Sequence, residues 1–274
     1  MGAELAASLA ALGELTLTDR AQLDLSNELA TRRALRELKP EVIVNAAAYT
    51  AVDRAESEPE LAMLINARAP GVLGEEAKRL GALMVHYSTD YVFDGTKGAP
   101  YVEDDAPHPL NVYGRSKLEG ERAVAASGAR HLILRTSWVY GPRGRNFLFA
   151  ILARAKKGEP LRVVADQIGA PTSSIAIARA TAQLLARMRT LSGAEGLYHL
   201  TAWGETSWHG FAQAIVAGAG LAAEVAPIST ADYPTAARRP MNSRLDNGKL
   251  ERTFGLRLPD WRAQLEEVLA QLRN

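Results

Sequence analysis

The chain has 274 residues, a net charge of +1 and 47% hydrophobic residues, values that are ordinary for a globular protein and give no reason to expect a nucleic-acid or membrane surface. It has no cysteine, which excludes disulfides and thiolate chemistry and agrees with a cytoplasmic protein. Its apolar runs are too short to span a membrane, and its five histidines lack the spacing of metal ligands, so neither a membrane anchor nor a metal site is predicted.

Helix and strand patterns alternate through the first half of the chain. The pattern predicts helices over residues 1–12, 28–38, 59–80 and 113–126. It predicts strands over residues 15–19, 41–48, 85–89 and 131–137. Ser26 is the expected N-cap of the second helix. Such alternation is typical of a parallel, doubly wound sheet with right-handed crossovers, so the predicted class is α/β and Rossmann-like.

After residue 144 the predicted helices and strands no longer alternate regularly. Further helices are predicted over residues 146–157, 175–189, 208–219 and 259–272, and strands over residues 161–164 and 196–200. We therefore expect a dinucleotide-binding domain over residues 1–144. Residues 145–274 would mainly form a smaller α/β substrate lobe, with residues 166–202 partly returning to the core sheet. That lobe is expected to cap the carboxyl edge of the sheet, where ligands bind in open α/β folds.

The start of the chain departs from the usual dinucleotide-binding pattern. Such folds open with a strand, a glycine-rich turn and a helix whose N-terminus receives the pyrophosphate. This sequence opens inside that helix, with Gly2 as the candidate for the last glycine of the turn. One explanation, which we favour, is an N-terminally shortened or mis-started version of an ordinary enzyme. The other is a chain that has lost, or never used, tight cofactor binding.

Two segments carry the predicted chemistry. The strand that begins at Val85 delivers Thr89 and Asp90 to its C-terminal end. Tyr113 and Lys117 lie four residues apart, which places them on one helix face. A phenol becomes a useful general acid where a cation stabilises its phenolate, and a hydroxyl can hydrogen-bond a carbonyl that is being reduced. Tyr-x-x-x-Lys alone is equally compatible with an exposed aromatic beside a solvated lysine, but the preceding strand and long loop favour the functional interpretation.

Six sequence blocks together resemble the extended short-chain dehydrogenase/reductase family. They are VNAAAYTAVDRAE from Val44, HYSTDYVFDG from His86, LNVYGRSKLEGE from Leu110, RTSWVYG from Arg135, DQIGAPT from Asp166 and ARRPMNSRLD from Ala237. The blocks run in order through nearly the whole chain and are jointly far more specific than the Tyr-Lys spacing. The resemblance implies reduction of the C4 ketone of dTDP-4-dehydro-L-rhamnose to dTDP-L-rhamnose with NADPH, NADH being the alternative cofactor.

The resemblance also assigns roles position by position. Tyr113 resembles the general acid, Lys117 its partner and Thr89 the residue that hydrogen-bonds the carbonyl. The implied cofactor contacts are Asp19, Asp24, Leu25, Ala48, Tyr49, Thr50, Tyr87, Tyr113 and Lys117. The implied substrate contacts are Thr89, Asp90 and Trp138. Arg239, in a segment that also holds Arg238 and Arg244, is a candidate for a clamp on the diphosphate of the substrate, because guanidinium groups match phosphate geometry. Arg20, beside Asp19, is a candidate for a 2′-phosphate contact.

Each less specific assignment has a structural alternative. The alternative for Trp138 is a core aromatic, that for Arg239 is a place in a charged surface loop with Arg238 and Arg244, and that for Arg20 is a solvated turn residue. Some members of the family dimerise around magnesium through acidic residues, one of them near the position of Glu4. A single glutamate at a helix start is more often a partner of the helix dipole, so magnesium is not claimed.

The expected partners are a dTDP-sugar and a second copy of the chain in a homodimer, with no nucleic acid and no membrane. Two rival functions remain open. One is another nucleotide-sugar reductase or epimerase of the same superfamily, against which the IGAPT and RRPMNSRLD blocks argue. The other is a non-catalytic regulatory subunit with the same fold, which the absent glycine turn favours and the retained Thr89, Tyr113 and Lys117 oppose.

Overall fold

The computed structural model describes residues 1–273 and is built on a parallel sheet. Ten strands lie in this range: β1 (Val42–Asn45), β2 (Leu83–Thr89), β3 (Arg130–Thr136), β4 (Val139–Tyr140), β5 (Leu161–Val164), β6 (Ile168–Gly169), β7 (Thr172–Ser173), β8 (Gly196–His199), β9 (Thr206–Ser207) and β10 (Val225–Ile228). The main sheet has the order β1-β2-β3-β8, with every pair parallel. The predicted doubly wound α/β class is confirmed.

Helices cover the sheet and build the second half of the chain. They are α1 (Gly2–Leu9), α2 (Glu28–Leu38), α3 (Val52–Ala55), α4 (Pro59–Met63), α5 (Ala69–Leu80), α6 (Val112–Ala126), α7 (Phe147–Lys156), α8 (Ser174–Met188), α9 (Trp208–Gly218), α10 (Gly248–Phe254) and α11 (Trp261–Arg273). A π-helical segment, Leu64–Arg68, joins α4 to α5. Among residues 1–273 no helix has the length and apolar character needed to cross a membrane.

The central strand β2 shows why the fold is layered. All of its residues are buried, and successive side chains point to opposite faces of the sheet. Val85 packs in a cluster with α1 and α8 on one face, whereas Met84 packs against α2 and α5 on the other. A separate apolar cluster surrounds Phe211 and Trp261 among α7, α9 and α11.

Three local predictions near the N-terminus are wrong. Residues 15–19 form no strand; Leu15 and Leu17 are exposed, because no strand among residues 1–273 offers them a ladder of hydrogen bonds. The first helix ends at Leu9 and not at residue 12, since an i to i+3 bond at Leu12 replaces the α-helical pattern there. Asn27 and not Ser26 caps α2, with its side chain accepting from the amide of the third helical residue.

Helix α6 lies unusually close to its neighbours because two of its positions are glycine. A Cβ at Gly114 would stand 2.1 Å from the carbonyl oxygen of Tyr91, and one at Gly120 would stand 2.0 Å from that of Asn66. Both obstacles are backbone atoms, which cannot swing aside as a flexible side chain can. Gly114 therefore sets the distance of α6 from the residues just after β2, and Gly120 its distance from the π-helical segment.

Replacing Gly120 with alanine is expected to destabilise the fold by about 3 kcal/mol, because the added methyl overpacks a rigid contact. Gly98→Ala is the matched control: nothing lies within 4 Å of its Cβ position, so its effect should stay within about 0.5 kcal/mol. Urea unfolding of both variants measures the difference. Equal stability of the two variants would contradict the close-approach account.

Candidate active site

The carboxyl end of β2 places a hydroxyl beside a carboxyl group. Thr89 donates from Oγ1 to Oδ1 of Asp90 at 3.0 Å and accepts from the amide of Tyr91 at 3.2 Å. Asp90 is buried, and its Oδ2 has no hydrogen-bond partner among the described residues. Burial raises the pKa of Asp90 to about 7, although hydrogen bonds from Ser243 and Thr89 oppose the shift. Near neutral pH this group is therefore divided between acid and carboxylate.

Tyr113 enters the same site from the first turn of α6. Asn111 caps the helix by accepting from the amide of Gly114 at 2.7 Å. The ring of Tyr113 meets the ring of Tyr91 edge-on, with 5.8 Å between centroids. Burial raises the pKa of Tyr113 to about 12; a side-chain hydrogen bond with Thr89 lowers it and the charge of Asp90 raises it. The phenol thus keeps its proton at neutral pH, as a general acid must.

Lys117 is buried one turn further along the same helix face. Its Nζ donates to the carbonyl oxygen of Tyr87 at 2.6 Å and lies 3.3 Å from Nε2 of His86. Burial lowers the pKa of Lys117 to about 8, and the charge of Glu121 opposes that shift. Within the described chain the ammonium makes no hydrogen bond to Tyr113. The four-residue spacing predicted that Lys117 shares a helix face with Tyr113. It did not predict the contact of Lys117 with the backbone of β2.

A buried ion pair fixes the far end of this face. Glu121 follows Lys117 by four residues and accepts from Nε and Nη2 of Arg135 on β3 at 2.8 and 2.7 Å. It also accepts from the hydroxyl of Ser88 at 2.5 Å. Glu121 and Arg135 lay inside recognised sequence blocks without an assigned role. The four-residue spacing of Tyr113, Lys117 and Glu121 was the sequence signal that could have indicated a role for Glu121.

Asn66 is a second residue that the sequence did not reveal. Its side-chain amide accepts from the amide of Tyr49 at 2.8 Å and donates to the Tyr49 carbonyl at 3.0 Å. The same amide donates to the hydroxyl of Ser116 on α6 at 2.9 Å. Asn66 lies in the π-helical segment, a feature often found at functional sites. It therefore ties the loop after β1, which includes Ala48 and Thr50, to the helix that carries Tyr113.

The remaining predicted cofactor residues are more scattered. Asp19 is exposed and accepts from the amides of its own turn, and Asp24 accepts from the amide of Ser26 at 2.9 Å. Leu25 is half-buried against the α2–α5 side of the sheet. The Tyr87 side chain points into the core, where its hydroxyl lies 2.6 Å from Oγ1 of Thr181. Their contacts with a cofactor stay predictions.

Trp138 is held in a strained conformation. It has φ of 48°, in the left-handed region that bulky residues rarely occupy. Its ring is stacked on Trp208, with centroids 3.7 Å apart. A Cβ at Gly169 would stand 2.6 Å from the ring, so glycine is required beneath it. Trp138 is only 9% exposed, and its contact with a sugar stays a prediction.

Arg239 is paired rather than free. Its Nη1 and Nη2 donate to the two carboxylate oxygens of Asp53 at 3.0 and 2.7 Å. The guanidinium holds the pKa of Asp53 below its usual range, mainly through these hydrogen bonds. Arg244 donates at 2.9 Å to Asn242 and lies near Glu205. Arg239 and Arg244, two of the three arginines in the segment predicted to clamp the diphosphate, are therefore already engaged with side chains of this protein.

A parallel doubly wound sheet with Thr89, Tyr113 and Lys117 at its carboxyl edge defines an extended short-chain dehydrogenase/reductase. The sequence family described as "RmlD substrate binding domain" matches residues 1–274. A dTDP-4-dehydrorhamnose reductase from Burkholderia thailandensis is 52% identical, over 96% of this chain and 92% of its own length. The chain therefore belongs to the RmlD substrate-binding-domain family.

Solved structures agree with that assignment. A dTDP-4-dehydrorhamnose reductase from Clostridium acetobutylicum superposes with a TM-score of 0.95 at 38% identity, covering 100% of this chain and 96% of that one. One from Bacillus anthracis, in complex with NADP, superposes with a TM-score of 0.92 at 35% identity, covering 98% and 94%. At these scores the fold extends over nearly the full length of both chains.

Glu121→Gln is expected to cost about 3 to 5 kcal/mol of stability, because it leaves the buried Arg135 charge without its carboxylate. Glu119→Gln on the same helix is the matched control. Its partner Arg122 is 60% exposed, so this loss should stay below about 1 kcal/mol. Guanidinium unfolding measures both. A similar small loss in both variants would show that the buried pair does not hold α6 in place.

Proposed function

We propose that this protein reduces the C4 ketone of dTDP-4-dehydro-L-rhamnose to dTDP-L-rhamnose with NADPH. The observation that carries the proposal is the buried group of Thr89, Asp90 and Tyr113 at the carboxyl edge of the sheet. Membership of the RmlD family and 52% identity to a dTDP-4-dehydrorhamnose reductase support the same substrate. The assay of NADPH oxidation with that substrate tests it.

The residues at this edge fit a nicotinamide cofactor. The Lys117 Nζ donates to the carbonyl oxygen of Tyr87 and has further N–H groups that could reach a ribose hydroxyl. Small side chains at Ala47 and Ala48 let a planar ring or a phosphate approach the backbone after β1. Asp19, Asp24, Leu25, Tyr49 and Thr50 are the other proposed contacts. When bound, NADPH supplies the hydride that reduces the ketone.

The protein's own residues supply the proton and hold the ketone. The Thr89 hydroxyl would turn its single O–H from Asp90 to the ketone oxygen and stabilise the negative charge that develops there. Tyr113, which is protonated at neutral pH, would then transfer its phenolic proton to that oxygen as the ketone gains the hydride. The Lys117 ammonium, on the same helix face, would stabilise the phenolate that remains.

The substrate would lie between the sheet and the second half of the chain. We propose that Asp90, Trp138 and Arg239 contact the dTDP-sugar, with Arg239 exchanging part of its pairing with Asp53 for phosphate oxygens. Residues 1–144 would bind the cofactor, and residues 145–274 would supply most substrate contacts while residues 166–202 return to the sheet. A homodimer and a cytoplasmic location belong to the same proposal, whereas magnesium is not part of it.

Tyr113→Phe should lower kcat by roughly 10²- to 10⁴-fold, because the ring loses the proton it donates. NADPH binding, measured by fluorescence, should stay unchanged. Tyr198→Phe is the control, since its hydroxyl donates to a backbone carbonyl inside the core at 2.9 Å. Turnover by Tyr113→Phe equal to that of the control would overturn the assignment of the acid.

Arg20→Ala should weaken NADPH binding by roughly fivefold, or about 1 kcal/mol, while leaving NADH binding unchanged. The reason is that the Arg20 side chain is 83% exposed and follows Asp19, so a 2′-phosphate beside the ribose would meet its charge. Arg33→Ala, which removes an equally exposed arginine from α2, is the control. Equal loss of NADPH and NADH affinity would reject the 2′-phosphate contact.

A further inference from the structure

A row of three buried side chains leads away from the active site, from Lys117 on α6 through His86 on β2 to Asn45 on β1. Lys117 Nζ lies 3.3 Å from His86 Nε2, and His86 Nδ1 lies 3.2 Å from the side-chain nitrogen of Asn45. All three residues are buried, and the His86 side chain has no exposed surface. The proposed mechanism uses Lys117 and leaves the other two residues without a role.

A hydrogen bond from the backbone fixes the orientation of the Asn45 side-chain amide. Its Oδ1 accepts from the amide of Ala47 at 3.1 Å, and only the oxygen of a carboxamide can accept. The nitrogen, which can only donate, must therefore face His86. Because this donor points at Nδ1, that ring nitrogen must carry the lone pair. A neutral imidazole has one N–H, so the proton of His86 lies on Nε2.

The Nε2 proton then points at Lys117. A hydrogen bond in that direction needs a lone pair on Nζ, which exists only in the neutral amine. An ammonium at the same position would set N–H against N–H at 3.3 Å. Burial and the neighbouring Lys117 lower the pKa of His86 well below its usual value, so the ring stays neutral. The contact thus favours the amine over the ammonium.

The other charged groups around Lys117 do not reproduce this effect. On α6, Glu121 favours the ammonium, but its carboxylate is shared with Arg135 of β3. Tyr113 on α6 is a neutral phenol at working pH, and Asp90 lies at the end of β2 beside Thr89. His86 is the neighbour that directly contacts Nζ and disfavours its charge.

We propose that Asn45 and His86 form a positioning pair that locks the Nε2–H tautomer and biases Lys117 toward the neutral amine. The pair deepens the proposed reductase function, on which its catalytic meaning rests. Together with burial, the pair favours a Lys117 that changes charge near neutral pH instead of remaining a permanent cation. Since the ammonium would stabilise the Tyr113 phenolate, the reduction rate should fall as the pH rises through about 8.

The tautomer is directly measurable in the protein without substrate. Long-range ¹H–¹⁵N NMR spectra of the histidine side chains should show His86 with Nε2 protonated and Nδ1 unprotonated from pH 6 to pH 9. Lys117, followed through its ¹³Cε signal, should titrate in the same protein near pH 8. A His86 proton on Nδ1, or a doubly protonated ring, would overturn the proposal whether or not the protein reduces a sugar.

Asn45→Asp reverses the hydrogen-bond direction with little change in shape. The new carboxylate accepts from both Ala47 and the Nδ1 proton of His86, so Nε2 becomes an acceptor for the Lys117 ammonium. The His86 tautomer should switch, and the Lys117 titration and the falling limb of the rate profile should both move up by about one pH unit. Asn27→Asp, the same substitution at the cap of α2, should leave all three unchanged.

His86→Leu separates the tautomer effect from the charge that Asn45→Asp adds. It removes the N–H that faces Lys117 without adding a charge, so the Lys117 titration should again move to higher pH. An unchanged Lys117 titration in this variant would mean that His86 only fills space. Lack of turnover in every form, with the NMR results as stated, would reject the reductase function and leave the positioning pair standing.

Discussion

The active site depends on how closely α6 approaches the carboxyl end of β2. Glycines at 114 and 120 let the helix backbone meet the carbonyls of Tyr91 and Asn66, and the Glu121–Arg135 pair fixes the helix to β3. With the helix in this position, one face brings Tyr113 to the end of β2 and Lys117 against its backbone. The packing of α6 therefore determines where the reacting groups of the site lie.

Burial then gives each polar group of the site its properties. It raises the pKa of Tyr113 to about 12, raises that of Asp90 to about 7 and lowers that of Lys117 to about 8. One cause, the loss of hydration of the charged form, favours the neutral phenol, the neutral carboxylic acid and the neutral amine. It brings the pKa values of Asp90 and Lys117 toward neutral pH, whereas that of Tyr113 moves away from it.

The sequence predicted an element well where its hydrophobic pattern and a recognised motif indicated the same structure. Strand β2 and helix α6 were expected within two residues of their bounds, because an apolar run and a helical face carry strong local signals. Residues 15–19 also had a strand pattern, but a strand requires a ladder partner, and local sequence does not report one. Alternation along β2 turns the Tyr87 side chain into the core, which its place in a motif does not report, and its contact with the cofactor stays a prediction. Asn66, Glu121 and His86 escaped notice because their importance lies in contacts between distant segments.

The proposed reaction delivers a hydride and the Tyr113 proton to one ketone of a nucleotide sugar. Its most direct test uses NADPH carrying deuterium at the transferred position of C4, with dTDP-4-dehydro-L-rhamnose as substrate and NMR of the product. The expected product is dTDP-L-rhamnose with one deuterium at sugar C4 for each NADPH oxidised. Absence of NADPH oxidation, or deuterium at any other sugar carbon, would contradict it.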